Sequence, residues 1–548
     1  MKKKAVVVWI LMMFLFAGIG VKIYTLTMGT ELQEAAERQS TRRLKISDYR
    51  GTIYDCRGRP LVNRSLQPVA AVAGGSRAAE ALRGVMSQEV FQALSGRLSR
   101  GAPFAIPVSE ALPESEGIDR FEVPVRYDDA QLAPHVIGYT DGSGVGVAGI
   151  EKAFDEWLAE GGGEISVSYQ VDAYGRALAA GRQVYNPCDG VPVQGVVLTL
   201  DRELQEEVEE IAREKMEAGA VLVAEAETGA VRAMVSRPDF PVTDLESVLK
   251  DEDSPLLNRA VNAYNAGSVF KLITAAAALE GGISPNRAYE CTGVTAVFGR
   301  SFKCSGANGH GMLDMEDALA QSCNHYFIKL AQEIGAEPLL AMAERFGAGR
   351  RTELAPGMFS AAGALPERGD VLSPHGLANL SFGQGGLMMT PLQLCGVVQT
   401  IANDGESFPL TLVERTVNGK GETVMEYREK TPTRILSVRT ARLLQQYMKT
   451  CVENGTGRPG KPESGTAGAK TGTAETGWVR AGRRVEQAWY AGFYFNQKNK
   501  YVIIVLTEDG AGGGTTSGPV FKAVAGALTK RGKNSVVPAA GGGKTAGK

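Results

Sequence analysis

Histidine and the common motifs of hydrolytic and metal sites are scarce in this 548-residue chain. Only four histidines occur. No G-x-S-x-G segment is present, so a Ser-His-Asp hydrolase site has little support. Neither C-x-x-C nor H-E-x-x-H occurs, and these spacings are typical of zinc sites. We therefore expect no metal and no cofactor.

An excess of charge of one sign is also lacking. Lysine and arginine total 59, aspartate and glutamate total 61, and the formal net charge is −2. A basic surface for nucleic acid is therefore not expected. Two glycine-rich segments resemble phosphate loops, but each departs from the G-x-x-x-x-G-K-[ST] pattern. Residues 455–462 end in Pro462 where a magnesium-binding serine or threonine belongs. The pattern that would end with residues 541–545 has Pro538 in place of its first glycine. Nucleotide binding is not expected either.

Long apolar runs are absent except at the N-terminus. "MKKK" precedes a run of uncharged, mostly apolar residues at 5–21. With Lys22 reaching toward the headgroups, residues 5–26 approach the ~20 residues that span a bilayer. The leading lysines favour a cytoplasmic tip at 1–4, and no A-x-A-like cleavage site follows. We expect a single-pass membrane anchor with the rest of the chain on the extracytoplasmic side.

The chain has few cysteines, and their number, seven, is odd. Outside the membrane a Cys291–Cys304 disulfide is one expectation, because a short glycine-containing loop separates the two. The sequence alone does not fix the pairing, and at least one thiol is left free or bonded to another chain. The seven cysteines are Cys56, Cys188, Cys291, Cys304, Cys323, Cys395 and Cys451.

The first third of the chain mixes short β-rich segments with glycine and proline breaks. Residues 29–45 have a helical, charged pattern, and residues 149–161 are predicted to form one helix. The remainder carries turn signals around short apolar segments. We interpret residues 27–195 as an elongated α+β module and not as an enzyme core.

The second part has the pattern of one larger α/β domain at 196–533. Residues 198–219 predict an amphipathic helix with Asp201 as its N-cap. β-rich hairpins are predicted at 220–236 and 489–509, on either side of helical stretches. One mixed sheet built from both ends of the domain and covered by helices is therefore expected. The helical stretches between the hairpins are 268–280, 312–333 and 390–402. The low-complexity tail, 534–548, is predicted to be disordered.

The segment "YNAGSVFKL" places Ser268 and Lys271 three residues apart, on one face of a predicted helix. This pattern has two interpretations. Lys271 could be an ordinary solvated surface lysine, or it could act as the base for Ser268. Two further segments favour the second interpretation. "QSCNHYF" contains Ser322 and Asn324, and "AGAKTGTAETG" contains Lys470 in a K-T-G triplet. The order S-x-x-K, S-x-N, K-T-G is that of penicillin-interacting serine enzymes.

With these motifs the chain resembles a class B penicillin-binding protein, a monofunctional peptidoglycan D,D-transpeptidase. Segments 50–55 and 135–155 resemble parts of that family's N-terminal pedestal, so 27–195 is interpreted as a pedestal of the dimerisation type. Segments 380–394 and 489–495 resemble stretches around the last motif. One departure is Ala266, where the family usually has proline. The implied fold is a β-lactamase-like transpeptidase domain with a central antiparallel sheet.

The resemblance implies a role for each motif residue. Ser268 would be the nucleophile, and Lys271 its base, provided that burial and the positive charge of Lys470 lower its pKa. Ser322 would relay a proton, and Asn324 would orient Lys271 and the substrate amide. Thr471, Gly472 and Thr473 would bind substrate beside Lys470, and the N–H groups of Ser268 and Thr473 would form the oxyanion hole.

The expected reaction is the cross-linking of D-Ala-D-Ala stem peptides through a serine acyl-enzyme, which β-lactams would also acylate. No glycan-polymerising module is recognisable before residue 195, so a polytopic membrane glycosyltransferase is the expected partner. Two alternatives remain open. One is a D,D-carboxypeptidase or β-lactamase that transfers the acyl group to water, and the other is a catalytically silent scaffold for wall synthesis.

Overall fold

A computed structural model describes residues 2–28, 40–108, 112, 117–186, 193–306, 308–428, 431–480 and 483–534. Cys188 and residues 535–548 of the predicted tail lie outside these described residues.

The helices, in chain order, are α1 (Lys2–Met28), α2 (Ser76–Val85), α3 (Gln88–Arg100), α4 (Pro134–Ile137), α5 (Gly149–Ala153), α6 (Asp155–Glu160), α7 (Arg202–Lys215), α8 (Lys271–Glu280), α9 (Met315–Ala320), α10 (Asn324–Ile334), α11 (Ala336–Arg345), α12 (Arg368–Val371), α13 (Pro374–Ser381), α14 (Pro391–Ala402), α15 (Val438–Asn454) and α16 (Gly518–Asn534).

The strands up to residue 198 are β1 (Thr41–Tyr49), β2 (Thr52–Tyr54), β3 (Ser65–Val72), β4 (Phe104–Pro107), β5 (Ile118–Val125), β6 (Gly163–Val171), β7 (Ala177–Tyr185) and β8 (Gly195–Leu198). The later strands are β9 (Gly219–Glu225), β10 (Val231–Arg237), β11 (Tyr264–Asn265), β12 (Tyr289–Cys291), β13 (Val294–Val297), β14 (Arg300–Lys303), β15 (Gly311–Leu313), β16 (Glu353–Ala355), β17 (Met358–Phe359), β18 (Met388–Met389), β19 (Glu406–Ser407), β20 (Val413–Val417), β21 (Thr423–Glu426), β22 (Thr433–Arg434), β23 (Thr466–Arg480), β24 (Arg483–Phe495) and β25 (Lys500–Glu508).

The chain divides into two compact units. The first contains residues 1–50, 63–126 and 162–192, and the second contains the rest. Residues 51–62 and 127–161, which precede the predicted boundary at 195, therefore pack within the second unit.

The first unit combines an apolar helix with two small sheets. Residues Lys2–Thr25 of α1 are long and apolar enough to cross a membrane, as a membrane anchor requires. The sheets have the orders β1-β6-β7 and β4-β3-β5. Side chains of β3 and β5 pack on those of β6, while α2 and α3 pack against the second sheet through Leu82 and Leu98.

The second unit is organised around a five-stranded sheet of order β10-β9-β25-β24-β23. Every neighbouring pair in it is antiparallel. The hairpin β9–β10 comes from the start of the unit, and β23–β25 come from its end. The prediction of a central antiparallel sheet assembled from both ends of the domain is confirmed.

Both faces of this sheet are buried under helices. Successive side chains of a strand point to opposite faces. Val221 and Val223 of β9 accordingly pack with α7 and α16, whereas Leu222 packs in the cluster that contains α8, α14 and α15. Burial on both faces explains why the strand sequence is almost continuously apolar.

Three helix predictions are corrected. Residues 41–45 of the predicted helix 29–45 belong to β1, where Leu44 and Ile46 alternate into a cluster with β6. Residues 149–161 form two short helices that meet at Phe154, whose ψ of 30° departs from the helical value. The stretch 312–333 is interrupted between α9 and α10, because Ser322 has a φ of 57° and a helix cannot continue through that conformation.

Asp201 stabilises the N-terminus of α7 as predicted. Its Oδ1 accepts from the backbone N–H of Glu203 at 3.2 Å and of Leu204 at 3.3 Å. The same carboxylate pairs with Arg531 of α16 at 2.9 Å and with Arg57 at 2.8 Å. The cap therefore also ties α7 to the last helix.

We expect Asp201→Ala to lower the free energy of unfolding by about 1–2 kcal/mol, because the capping hydrogen bonds are lost. Thermal unfolding of the full chain in detergent measures the change. Asp201→Asn is the control, since an asparagine caps equally well and loses only the ion pairs. Equal losses in the two variants would contradict a capping role.

Candidate active site

Ser268 lies in a 3₁₀ turn, Gly267–Phe270, that leads directly into α8. Gly267 has a φ of 56°, which favours glycine. A Cβ there would lie 3.0 Å from Cβ of Ala474 and 3.1 Å from O of Thr473. This glycine therefore lets the turn approach β23 closely. Ala266 has a φ of −71°, within the range of proline, so the departure from the family's proline leaves the turn intact.

Lys271 is fully buried, and its Nζ is surrounded by oxygen atoms. It lies 3.0 Å from Oγ of Ser268. It donates to O of Ser322 and to Oδ1 of Asn324, each at 2.7 Å. Burial, and then the positive charge of Lys470, hold the pKa of Lys271 well below its ordinary value.

Ser322 and Asn324 stand on either side of the break between α9 and α10. The left-handed backbone of Ser322 directs both its O and its Oγ toward the lysines, with Oγ 3.2 Å from Nζ of Lys271. Asn324 donates from Nδ2 to O of Lys303 at 3.1 Å. That bond leaves Oδ1 of Asn324 facing Lys271.

Lys470 reaches the same group of atoms from β23. It is fully buried and donates to Oγ of Ser322 at 2.8 Å and to O of Thr471 at 2.7 Å. Burial lowers its pKa to about 8. Lys470, Ser322 and Lys271 thus form a continuous hydrogen-bonded chain that leads to Ser268.

The three residues after Lys470 lie on the edge strand of the sheet. The Oγ1 atoms of Thr471 and Thr456 are 2.6 Å apart. A Cβ on Gly472 would lie 3.1 Å from Cγ1 of Val269, so glycine is needed where β23 passes the serine turn. Thr473 is exposed, and its Oγ1 accepts from the N–H of Gly513 at 3.3 Å. All eight residues singled out from the three motifs therefore lie in one region of the second unit.

Sequence reasoning missed several residues that support the site. Trp489 is fully buried, and its Nε1–H donates to O of Asn265 at 2.9 Å, just before the serine turn. The ring of Phe327 lies 5.7 Å from Nζ of Lys271 and contributes to its apolar surroundings. The aromatic segment 489–495 is typical of a buried strand. The hydrogen bond from Trp489 to Asn265 could not be predicted, because the two residues come together only in the tertiary structure.

The predicted Cys291–Cys304 disulfide is absent, because both residues are free thiols. Each Sγ lies 3.5 Å from Nδ1 of His310 instead. With Cys323 these residues form a group of four possible metal ligands, which the expectation of no metal site did not foresee. No short motif signals the group, because its members are 13, 6 and 13 positions apart.

Comparison with known proteins identifies the family. Residues 219–526 match the family described as the penicillin-binding protein transpeptidase domain. PbpB of Mycobacterium tuberculosis is 30% identical over 482 residues, which cover 83% of this chain and 68% of the relative. The chain belongs to the class B penicillin-binding proteins.

Other similarities of this penicillin-binding protein extend across both units. Stage V sporulation protein D of Bacillus subtilis is 27% identical over 531 residues, covering 90% of this chain and 80% of the relative. The crystal structure of penicillin-binding protein 3 from M. tuberculosis has a TM-score of 0.64 at 26% identity, covering 90% and 97% of the two chains. The same protein has been solved with aztreonam, at 25% identity and with the same TM-score.

A third structural match comes from work entitled "Structural coordination of polymerization and crosslinking by a peptidoglycan synthase complex". Its TM-score is 0.70 at 25% identity, and it covers 95% of this chain and 98% of that one.

We expect Asn324→Asp to slow covalent labelling by a fluorescent penicillin about 100-fold or more at neutral pH. A carboxylate at the position of Oδ1, 2.7 Å from Nζ of Lys271, would stabilise the ammonium and raise the pKa of Lys271. Stopped-flow or gel-based labelling gives the rate constant. The exposed Asn286→Asp is the matched control, and labelling of Asn324→Asp at the wild-type rate would contradict the importance of an uncharged amine.

Proposed function

We propose that this protein is a peptidoglycan D,D-transpeptidase that uses Ser268 as its nucleophile and Lys271 as the base. The observation that carries the proposal is the position of Nζ of Lys271, 3.0 Å from Oγ of Ser268 in a fully buried setting. A serine hydroxyl is a weak nucleophile until a neighbouring group removes its proton.

The hydrogen-bond partners of Lys271 match those of an uncharged amine. A neutral lysine has two N–H donors and one lone pair. The two contacts at 2.7 Å are both to carbonyl oxygens, of Ser322 and Asn324, which only accept. Once both N–H groups are used in this way, the lone pair is left for the two close hydroxyls, Oγ of Ser268 at 3.0 Å and Oγ of Ser322 at 3.2 Å, of which Ser268 is the nearer. This supports Lys271 as the acceptor of the serine proton.

Acylation then has a complete path for protons. Oγ of Ser268 attacks the penultimate D-Ala carbonyl, and its proton passes to Lys271. When the C–N bond to the terminal D-Ala breaks, the leaving nitrogen receives a proton through Ser322, whose Oγ contacts both lysines. The backbone N–H groups of Ser268 and Thr473 are proposed to stabilise the oxyanion, a contribution worth about 10²–10³ in rate.

The edge of β23 is proposed to hold the terminal carboxylate of the stem peptide. With a pKa of about 8, Lys470 carries positive charge at neutral pH. Thr471 and the exposed Thr473 add hydroxyl donors on the same strand. Oγ1 of Thr456 lies 2.6 Å from Oγ1 of Thr471 and also donates to O of Ala320 at 3.4 Å, so these contacts hold the Thr471 hydroxyl in place at the strand edge.

Deacylation by an amine of a neighbouring stem peptide would complete the cross-link. We propose that α1 anchors the protein with residues 1–4 in the cytoplasm, and that the first unit is the pedestal of an extracytoplasmic enzyme. The similarity to a chain of a complex that coordinates polymerization and crosslinking supports a polytopic membrane glycosyltransferase as partner.

Two alternatives predict different products. A D,D-carboxypeptidase or β-lactamase would use the same motifs but transfer the acyl group to water. A silent scaffold would not acylate at all, and the continuous chain from Lys470 to Ser268 argues against it. The similarity to relatives named as peptidoglycan D,D-transpeptidases favours the first proposal over both.

We expect the purified full chain to join a D-Ala-D-Ala donor peptide to an added acceptor amine with release of D-Ala. Mass spectrometry of the products, with and without acceptor, separates cross-linking from hydrolysis. Ser268→Ala should lose both product formation and penicillin labelling, whereas the exposed Ser284→Ala should keep them. Hydrolysis alone in the presence of the acceptor would favour the carboxypeptidase, and labelling of Ser268→Ala would refute the nucleophile.

The pH dependence of acylation should be bell-shaped. The rate is lost as pH falls through the depressed pKa of Lys271, because the base becomes an ammonium. It declines again as pH rises through about 8, where Lys470 loses its charge. Labelling rates across this range give the profile.

Lys470→Met should remove the alkaline limb and shift the acid limb to higher pH, because the charge that lowers the pKa of Lys271 has gone. The exposed Lys420→Met is the control. An unchanged acid limb in Lys470→Met would show that the two lysines are not coupled.

A further inference from the structure

Four sulfur and nitrogen donors meet in the second unit beside the active site. Sγ of Cys291, Cys304 and Cys323 and Nδ1 or Nε2 of His310 lie within 4.8 Å of one another. Cys291 and Cys323 are buried, and the other two are half-buried. Nδ1 of His310 is 3.5 Å from Sγ of Cys291 and of Cys304, and Sγ of Cys304 is 3.6 Å from Sγ of Cys323.

These separations are those of ligands around one tetrahedral zinc ion. Zinc–sulfur bonds of ~2.3 Å and zinc–nitrogen bonds of ~2.0–2.1 Å place sulfur and nitrogen ligands about 3.5 Å apart and two sulfurs about 3.8 Å apart. Three of the six separations in the group match these values, and the other three lie within 4.8 Å. Thiolate and imidazole donors select zinc over magnesium or calcium, which prefer oxygen.

The backbone holds the four donors from several directions. Cys291 ends β12, which pairs with β15 through Cys291 and Gly311. The N–H of His310 donates to O of Cys291 at 3.0 Å. Gly309 has a φ of 79°, and a Cβ there would lie 2.2 Å from O of Cys291. The loop before β15 thus requires glycine in order to bring the histidine to the cysteines.

Two of the sulfurs also accept backbone hydrogen bonds at the N-terminus of α10. The N–H of Asn324 donates to Sγ of Cys304 at 3.3 Å, and the N–H of Tyr326 donates to Sγ of Cys323 at 3.4 Å. N–H groups at a helix N-terminus stabilise thiolates, the form that binds zinc.

We propose that Cys291, Cys304, His310 and Cys323 form a structural zinc site. Four protein ligands close the coordination sphere, so the metal has no open position for substrate. Binding Zn²⁺ converts the three thiols to thiolates and releases their protons to solvent, leaving the histidine neutral.

The site is placed so that it would position the S-x-N residues. Cys323 stands between Ser322 and Asn324, the two residues whose oxygens contact Lys271. Cys304 directly follows Lys303, whose O accepts from Asn324. A metal bound to both cysteines would fix this break between helices against Lys271. This consequence, unlike the binding of zinc itself, depends on the proposed function.

Metal analysis of the full chain, purified in detergent without chelator, tests the proposal. We expect one zinc per chain. Replacement by Co²⁺ should give thiolate charge-transfer absorption and the visible bands of tetrahedral cobalt. Cys291→Ser and His310→Gln should lose the stoichiometric metal and the cobalt spectrum. The matched controls Cys395→Ser, a buried thiol outside the group, and His375→Gln should keep both.

Chelation of the wild-type protein supplies a test that does not depend on variants folding. It should lower the melting temperature and slow penicillin labelling by up to about 100-fold, and added Zn²⁺ should restore both. A metal-free protein with four reduced thiols that binds neither Zn²⁺ nor Co²⁺ would overturn the proposal. So would a disulfide mapped by mass spectrometry between Cys304 and either Cys323 or Cys291.

Failure of the zinc proposal is distinguishable from failure of the proposed function. Ser268→Ala should abolish labelling while keeping the metal and the cobalt spectrum. A protein that cross-links peptides but holds no zinc would refute only the metal site.

Discussion

A lysine without exposed surface is the feature on which the site depends. Removing an ammonium from water costs several kcal/mol, unless the group is paired with a negative charge or loses its proton. Nζ of Lys271 contacts neutral oxygens of Ser268, Ser322 and Asn324, and a second lysine lies nearby. Burial and the charge of that second lysine both lower the pKa of Lys271 and so favour the uncharged amine beside the hydroxyl.

Three separate pieces of chain create that environment. The turn before α8 brings the serine, the break before α10 brings two carbonyl oxygens, and β23 brings the second cation. Each piece is shaped by a residue without a bulky side chain or with an unusual backbone, namely Gly267, Ser322 and Gly472. The chemistry is thus determined by close backbone approach as much as by the reacting side chains.

Much of this arrangement could be predicted from local sequence, and the exceptions have physical reasons. The apolar runs of β9 and β25 and the N-cap at Asp201 are local signals, and the sheet formed as predicted. The interruption at Ser322 was not predicted, because helical periodicity continues across 312–333 while one left-handed residue ends the helix. Charged residues in β1 obscure the alternation of Leu44 and Ile46, so the sequence pattern predicts a helix for 41–45 where the structure has a strand.

The group formed by Cys291, Cys304, His310 and Cys323 also could not be predicted from the sequence. Its members are contributed by the end of β12, the loop between β14 and β15, and the N-cap of α10, so only the folded chain brings them together. Proximity along the chain suggested pairing Cys291 with Cys304. The folded chain instead inserts His310 between them, at 3.5 Å from each sulfur.

The pairing of β9 with β25 has a consequence for when the enzyme becomes active. Ile503 of β25 pairs with Val223 of β9 in the sheet. Most of the domain's sequence separates these two residues, and strand pairing over so long a separation is slow to form. The edge strand that carries Lys470 joins the sheet only through β24 and β25. An incomplete chain therefore lacks a finished cleft, and catalytic competence requires nearly the whole polypeptide, because β24 and β25, which join β23 to β9, come from its last part.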